Sequence, residues 1–249
     1  MRIERVSFIV VLATLARSAW GEPLAASLAD RPLTLPAATL EVEARLAYHA
    51  RRALGVDVLS AETMDLGLRA GISARWELGA TLPMQLHPDP ASSRELILAA
   101  AWRAYVGGRL EMAPSIVVPV TVRRGYDVVP EVVFGAQLRD RLGPRLFAVA
   151  GRRLIRIDVR PAIAVGAVLE GGLGVQATDA LAVVLEARLA EVTLAGQIDR
   201  TATVIDALPA ALSALLAVSG WLDVTLEARA DVLQPGDDYV VALGVLGRN

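Results

Sequence analysis

Residues 40–48 read LEVEARLAY, in which apolar side chains alternate with charged or small ones. Successive side chains of a β-strand point to opposite faces, so this stretch has one apolar face and one charged face. The same two-residue period recurs in MDLGLRAGI at residues 64–72 and in LDVTLEARA at residues 222–230. The pattern predicts amphipathic strands along most of the chain.

The composition is unusually apolar for a protein built from such strands. Hydrophobic residues make up 54% of the 249 residues, and the mean hydropathy is +0.47. Past the N-terminus, however, the sequence has no run of 18 apolar residues that would predict a membrane-spanning helix. A transmembrane β-barrel accounts for both facts, because its lipid-facing residues alternate with residues that face the bore.

The N-terminus is typical of a signal peptide. Arg2 and Arg5 provide a basic start, residues 6–16 are apolar, and Ala19 and Gly21 fit the small-residue pattern of a cleavage site before residue 22. We therefore expect a signal peptide at 1–21 and a single outer-membrane β-barrel domain at 22–249. An uncleaved membrane anchor is the alternative, but the apolar run is short for a helical span of roughly 20 residues.

About twelve strands can be assigned from the alternation. They are expected near 38–50, 63–72, 76–87, 94–106, 109–122, 128–139, 144–152, within 155–177, and near 180–193, 211–219, 221–233 and 238–247. Tight turns at 73–75, 107–108, 178–179 and 219–220 alternate with longer connections at 51–62, 88–93, 123–127, 194–210 and 234–237. Short turns at one rim and longer loops at the other are typical of outer-membrane barrels.

The aromatic residues favour the same topology. Amphipathic rings prefer the two membrane interfaces. The assignment places near the periplasmic rim Trp76, Trp102, Tyr105, Phe147 and Trp221. It places near the outer rim Tyr48, Tyr126 and Tyr239.

A local motif strengthens this interpretation. The stretch LGLRAGISARWELGA at 66–80 resembles the strand-turn-strand units of small Gram-negative outer-membrane β-barrels of the transporter-like type, and GVQATDAL at 174–181 is similar to a second copy. The resemblance implies an all-β, antiparallel, up-and-down transmembrane barrel in the cell outer membrane, reached after export through the inner membrane. It also implies two partners, outer-membrane lipid and the barrel-insertion machinery during biogenesis. Barrels of this type commonly end in an aromatic residue, whereas this chain ends in Gly247-Arg248-Asn249.

A soluble fold is the alternative to a membrane barrel. A soluble exported β-sandwich also alternates apolar and polar residues, and a helical or mixed fold is the third alternative. Runs of 10 to 13 residues exceed the usual length of strands in soluble folds. An arginine facing lipid at mid-membrane costs about 2–4 kcal/mol, so reversing three strands to expose Arg45, Arg69 and Arg229 would cost roughly 6–12 kcal/mol. These arginines are therefore expected to face the bore.

The register defines a set of residues predicted to line the bore. Its members are charged and lie on the face opposite the apolar one. They are Glu41, Glu43, Arg45, Asp65, Arg69, Glu77, Arg103, Glu111, Glu131, Arg188, Asp223, Glu227 and Arg229. They could form a structural network of arginine–carboxylate pairs or line a permeation path.

Three functions follow from the predicted barrel. The first is a narrow, porin-like pore or transporter for small solutes. The second is a closed structural or interaction barrel that binds a partner through its outer loops. Segment 194–210, the longest predicted loop, could fold inward as a plug or lie on the rim.

The third function is a lipid-modifying enzyme of the outer leaflet, for which the histidines His49 and His87 are the candidates. Neither histidine has a serine close by on its own strand face, so we expect no catalytic residues. The spacing of the histidines also predicts no metal site, and we expect no cofactor. The charge balance gives no indication of nucleic-acid binding.

Overall fold

The computed structural model describes residues 27–53, 56–88, 91–92, 95–121, 132–151, 153–158, 164–195, 208–233 and 238–249. Twelve barrel strands lie within these ranges. Their bounds are β1 Leu40–Ala53, β2 Val56–Gly71, β3 Trp76–His87, β4 Glu95–Trp102 with Tyr105–Gly107, β5 Leu110–Thr121, β6 Val132–Arg141, β7 Leu146–Ala150 with Arg153–Asp158, β8 Ala164–Gln176, β9 Leu181–Ala195, β10 Pro209–Ser219, β11 Leu222–Asp231 and β12 Asp238–Arg248. The predicted signal peptide lies outside the described residues.

The strands form a closed antiparallel barrel. Each strand pairs with the next one along the chain, and β12 pairs with β1 from Glu41 opposite Arg248 to Arg51 opposite Asp238. This is the up-and-down order expected from the sequence, with the predicted number of strands. Closure leaves no unpaired sheet edge, which a barrel needs in a bilayer because lipid offers no hydrogen bonds.

The outer surface of the barrel is apolar. Leu68, Leu226 and Leu243 are 46%, 52% and 49% exposed, although large apolar side chains are usually buried in a water-soluble domain. They lie on the strand face opposite the charged residues, as the alternation predicts. Within the described residues, the buried apolar cluster of the interior is small and contains only Ala29, Phe147 and Val184.

The strands differ from the sequence assignment in two places. The predicted loop at 51–62 is wrong, because β1 continues to Ala53 and β2 begins at Val56. Residues 153–158, placed partly in the predicted eighth strand, instead complete β7, which pairs with both β6 and β8. Polar residues broke the apolar pattern in both regions, although the backbone hydrogen bonds continue.

The two ends of the barrel can be told apart. One end, which we call the short-turn end, carries the connections at 72–75, 108–109, 142–145, 177–180 and 220–221 together with the start of β1 and the end of β12. Side chains shape some of these turns, since the Thr178 Oγ1 accepts a hydrogen bond of 3.0 Å from the Leu181 N–H. The opposite end is called the long-loop end.

Aromatic residues mark both ends. Trp76 and Trp102 stack with ring centroids 5.9 Å apart at the short-turn end, and Tyr48 and Tyr239 lie 6.2 Å apart at the other. Phe147 is the exception, since it is 1% exposed and points into the barrel rather than to the interface as predicted. Its ring lies over Gly174, where an added Cβ would overlap it.

Within the described part of the chain, no helix has the length and apolar character needed to cross a membrane.

Candidate functional site

Charged residues occupy neighbouring positions on the inner face of the barrel. Glu41 lies opposite Arg69 on β2 and opposite Arg248 on β12. Arg45 lies opposite Asp65 on β2. Because every second residue of a strand shares a face, the charged residues of adjacent strands converge on the bore.

Eight charged side chains at the short-turn end form two branches of ion pairs, which together we call the ion-pair layer. Its members are Glu41, Arg69, Glu77, Arg103, Glu111, Arg139, Asp223 and Arg248.

Glu41 is bound on both sides within the ion-pair layer. Its Oε1 lies 2.9 Å from the Arg69 Nε, and its Oε2 lies 2.9 Å from the Arg248 Nε. Arg248 also pairs with Asp223, so the contacts run from β2 through β1 and β12 to β11. The Asp223 and Glu41 side chains are 0% and 2% exposed. Buried charges of this kind are stable only when they are paired, and these are.

A second branch of the layer lies on the next three strands. The Arg139 Nη2 donates to the Glu111 Oε2 at 2.7 Å, and Arg103 donates to the other oxygen of the same carboxylate. These contacts join β4, β5 and β6. Another part of the chain contacts both branches.

Residues 27–39, which we call the N-terminal segment, cross the bore at the level of the ion-pair layer. At one side, the Gly71 N–H donates to the Thr39 carbonyl at 2.8 Å. At the other side, the Leu28 N–H donates to the Gln176 Oε1 on β8 at 2.9 Å. Since β2 and β8 are six strands apart in a twelve-stranded barrel, the segment spans the barrel from one wall to the other.

Arg31 attaches the N-terminal segment to a third wall. Its guanidinium pairs with Asp223 on β11 through two contacts, one of which joins Nη2 and Oδ1 at 3.0 Å. Arg139 donates to the backbone carbonyls of Arg31 and Leu28. Arg31 is only 5% exposed, so a charged side chain is held inside the barrel by a carboxylate from the wall.

The backbone of the segment is also bound by the layer. The Ala38 N–H donates to the Gly71 carbonyl of β2 at 2.9 Å, and the other buried N–H groups of the segment also need acceptors. The Leu33 N–H donates to the Glu111 Oε1 at 2.9 Å, and the Leu35 N–H donates to the Glu77 Oε2 at 2.7 Å. Layer carboxylates therefore bind both the wall arginines and the segment.

Apolar packing completes the attachment. Ala29 is 3% exposed and packs with Phe147 and Val184. Phe147 was predicted at the membrane interface because it is aromatic and close to a turn. Its actual position follows from its register, since it lies opposite Gly174 on the inner face.

A different arrangement lies farther up the bore. The mid-bore group consists of Arg45, Asp65, Glu227 and Arg229. Arg45 lies 3.1 Å from the Glu227 carboxylate and 3.5 Å from Asp65, and Arg229 lies 3.2 Å from Glu227. Arg45 reaches across β12, whose inward residues at this level are small: Ala242 and Gly244.

The mid-bore group keeps contact with solvent. Its side chains are 17% to 45% exposed, whereas Asp223 and Arg248 in the ion-pair layer are 0% and 3% exposed. Two other arginines of the layer, Arg103 and Arg69, are partly exposed, at 26% and 41%. A cavity of about 110 Å³ lies beside the N-terminal segment, lined by Leu33, Gln137, Glu170 and Glu186 among others.

The wall formed by β4, β5 and β6 differs in character. At the level of the mid-bore group, the inward positions opposite one another are Ile97 and Pro119, Ala99 and Val117, and Ser115 and Gly135. None of these carries a charge; the next inward position of β4 toward the long-loop end is Glu95, opposite Thr121. At the level of the mid-bore group, the described bore therefore has a charged wall facing a neutral one.

The structure places twelve of the thirteen predicted bore-lining residues in two groups. The ion-pair layer contains Glu41, Arg69, Glu77, Arg103, Glu111 and Asp223. Farther up the bore lie Glu43, Arg45, Asp65, Arg188, Glu227 and Arg229. Glu131 lies outside the described residues, as does the middle of segment 194–210.

Several functional residues were missed by the sequence analysis. The N-terminal segment with Arg31 has no alternating pattern, and Arg248 lies at the end of the last strand. The sequence analysis considered an inward-folded segment only at 194–210. The one available signal was a basic residue next to Pro32, just before the first strand.

The two histidines lie on different strands near the long-loop end. The His49 Nε2 is 3.1 Å from the Thr63 Oγ1, and His87 lies opposite Glu62. Among the described residues, no group of three His, Cys, Asp or Glu side chains could hold a metal ion.

Comparison with solved structures gives the class of protein that this fold represents. The KdgM porin in complex with disordered oligogalacturonate is similar with a TM-score of 0.56 and 8% identity, over 83% of this chain and 98% of that chain. The NanC porin has a TM-score of 0.56 and 8% identity, over 82% and 98%. An outer membrane channel from Pseudomonas putida F1 has a TM-score of 0.55 and 14% identity, over 87% and 97%.

These likenesses show the fold: this chain is a small barrel of the outer-membrane type. No protein-family model matches the sequence, and no curated protein matches it either.

Proposed function

We propose that this protein is a narrow outer-membrane pore for small solutes, with its short-turn opening constricted by the N-terminal segment. The observation that carries the proposal is the exposure of the mid-bore group. Side chains such as Asp65 and Arg229, 30% and 45% exposed, line an interior that is accessible to water. A bore that served only to hold the barrel together would be filled by side chains throughout, as it is around Glu41, Asp223 and Arg248.

The chemistry of the surfaces supports the same proposal. The outer face carries half-exposed leucines that suit lipid, and the inner face carries hydrogen-bonding and charged groups that suit a hydrated solute. The proposal includes export through the inner membrane and insertion into the outer membrane, where lipid and the insertion machinery would be its partners.

Conductance in planar lipid bilayers tests the proposal. Refolded full-length protein should give discrete conductance steps, and the same preparation after heat denaturation should give none. A variant that lacks residues 27–35 should give larger steps, because the segment that crosses the bore is removed. If well-folded full-length protein produces no steps, the pore proposal is wrong.

A closed structural barrel is the second candidate, and the N-terminal segment favours it. The segment and the ion-pair layer together fill the short-turn end. This alternative predicts a silent full-length protein and a conducting deletion variant. Ala29 and Val184 pack together, so a disulfide between Ala29→Cys and Val184→Cys would hold the N-terminal segment on the wall and help to distinguish the pore from the closed barrel. The chain has no native cysteine, so a rise in conductance on reduction would result only from release of the segment.

A further inference from the structure

We infer that the pore selects small cations over anions and that, at the short-turn end of the bore, the Arg31 guanidinium occupies the last position where a cation can bind. This inference rests on the pore function proposed above. Two independent observations carry it: the charges that line the bore above the ion-pair layer, and the way the protein's own guanidinium is held at its end.

The first observation is an excess of carboxylates. Above the ion-pair layer, and before the opposed Arg51 and Asp238 near the long-loop end, the inward positions of the charged wall with described side chains carry six of them: Glu43, Asp65, Glu170, Glu186, Glu227 and Asp231. The same positions carry three arginines: Arg45, Arg188 and Arg229. Carboxylates therefore exceed guanidiniums by three on this wall, and the facing wall is neutral at the level of the mid-bore group.

The arrangement of the arginines increases this bias. Arg45 donates to Glu227 and lies next to Asp65, and Arg229 also pairs with Glu227. Their donors point at wall carboxylates, so these arginines bind a passing anion less well. Glu170 and Glu186 line the cavity beside the N-terminal segment, which places two carboxylates next to the segment that crosses the bore.

The second observation is the position of Arg31. The wall members of the ion-pair layer are four carboxylates and four arginines, so they balance one another without the segment. Arg31 is an additional cation that enters from the segment and pairs with Asp223, whose carboxylate is 0% exposed. At the short-turn end of the bore, the Asp223 carboxylate of the wall is therefore aligned for two contacts with a guanidinium.

A low-dielectric channel with an excess of one charge concentrates the opposite ion. A potential of about one kT raises the concentration of monovalent cations and lowers that of anions by a factor of about 3 each. We therefore expect a cation-to-anion permeability ratio of about 3 to 10, measured as the reversal potential under a KCl gradient across a planar bilayer.

Two variants test the wall. Joint Glu170→Gln and Glu186→Gln substitution removes two of the three excess carboxylates while keeping side-chain shape, so the permeability ratio should fall toward 1. Asp179→Asn is the matched control, because the Asp179 side chain is 100% exposed at the short-turn rim and salt screens it. Its ratio should equal that of the unchanged protein.

Arg31→Gln tests the end of the route. This variant removes a cation from the bore and frees the Asp223 Oδ1, while Arg248 keeps its contact with Oδ2, so the permeability ratio should rise. Guanidinium chloride added at low millimolar concentration should reduce the K⁺ current of Arg31→Gln more than that of the unchanged protein, because the free ion can then bind at the Asp223 Oδ1.

The outcomes separate the inference from the function on which it depends. Current with a ratio of 1 or with anion preference overturns the inference and leaves the pore standing. An unchanged ratio in the Glu170→Gln and Glu186→Gln variant also overturns it. A folded protein that carries no current overturns the pore and the selectivity together.

Discussion

The ion-pair layer and the mid-bore group contain the same kinds of residue, yet they lie in different surroundings. Asp223 in the layer has no exposed side-chain surface, whereas Asp65 in the mid-bore group is 30% exposed. Each pairs with arginine. The difference is the N-terminal segment, which covers the layer and stops short of the mid-bore group. The comparison shows that one short segment divides the bore into a structural part and a solvated part.

The largest effect should come from breaking the layer. Asp223→Asn leaves Arg31 and Arg248 without their shared carboxylate in a site closed to water, and loss of a buried partner costs about 3–5 kcal/mol. Asp65→Asn is the matched change in the mid-bore group, and exposed pairs contribute about 0–1 kcal/mol. Urea unfolding in detergent micelles measures both free energies of unfolding. Equal losses for the two variants would contradict the division of the bore.

The next largest effect should come from displacing the N-terminal segment. The segment packs directly on Gly71, where an added Cβ would overlap the Pro36 carbonyl. Overpacking of this kind costs about 1–3 kcal/mol. Gly71→Ala should therefore lift the segment from the wall, whereas Gly79→Ala has room, since its closest neighbour would be at 3.4 Å.

Thiol labelling measures that displacement. Thr34 is 2% exposed, so Thr34→Cys provides a single buried reporter in a chain without native cysteine. Maleimide should react slowly in the parent, slowly with Gly79→Ala, and faster with Gly71→Ala. Equal rates in all three would show that the segment does not rest on Gly71.

A smaller effect is expected on the outer surface. Trp76 and Trp102 stack at the short-turn end with 16° between their planes. Such pairs contribute about 0.5–1.5 kcal/mol beyond the area they bury. Trp76→Leu should lower the free energy of unfolding in micelles by that amount. Trp221→Leu, at the same end but outside the stack, should lower it less, and the reverse order would argue against a role for the stack.

The smallest effect should come from the rim. Arg109 lies 2.8 Å from Asp140, but its side chain is 69% exposed. Arg109→Gln should change the free energy of unfolding by about 0–1 kcal/mol, since exposed pairs are screened by solvent. A loss comparable to that of Asp223→Asn would mean that exposure does not separate the two kinds of pair.

Much of the barrel could be predicted from the sequence because alternation is a local property. The range 76–87 for β3 matches the structure, and the inward register of Arg45 and Asp65 follows from the cost of placing arginine in lipid. The predicted loop at 51–62 failed because polar residues interrupt the alternation there, although β1 and β2 continue in hydrogen-bonded register.

The division of the bore could not be predicted, since it depends on contacts between distant parts of the chain. Arg31 and Asp223 are 192 residues apart, and Arg45 meets Glu227 only because β12 closes the barrel between them. Alternation indicates on which face of a strand a side chain lies, but not which side chain it will pair with. Phe147 shows the same limit, because its aromatic character favoured the interface while its register placed it inside.

The first and last strands of the barrel meet in the ion-pair layer. Arg248 binds Glu41, and the Asn249 N–H donates to the Leu40 carbonyl at 3.2 Å. The carboxylate that holds Arg31 belongs to β11, and the arginine that shares it belongs to β12. The N-terminal segment is made first, but the contact of Arg31 with Asp223 requires β11, which is made almost last. This one contact of residues 27–39 therefore forms late, in a chain whose final hairpin is present.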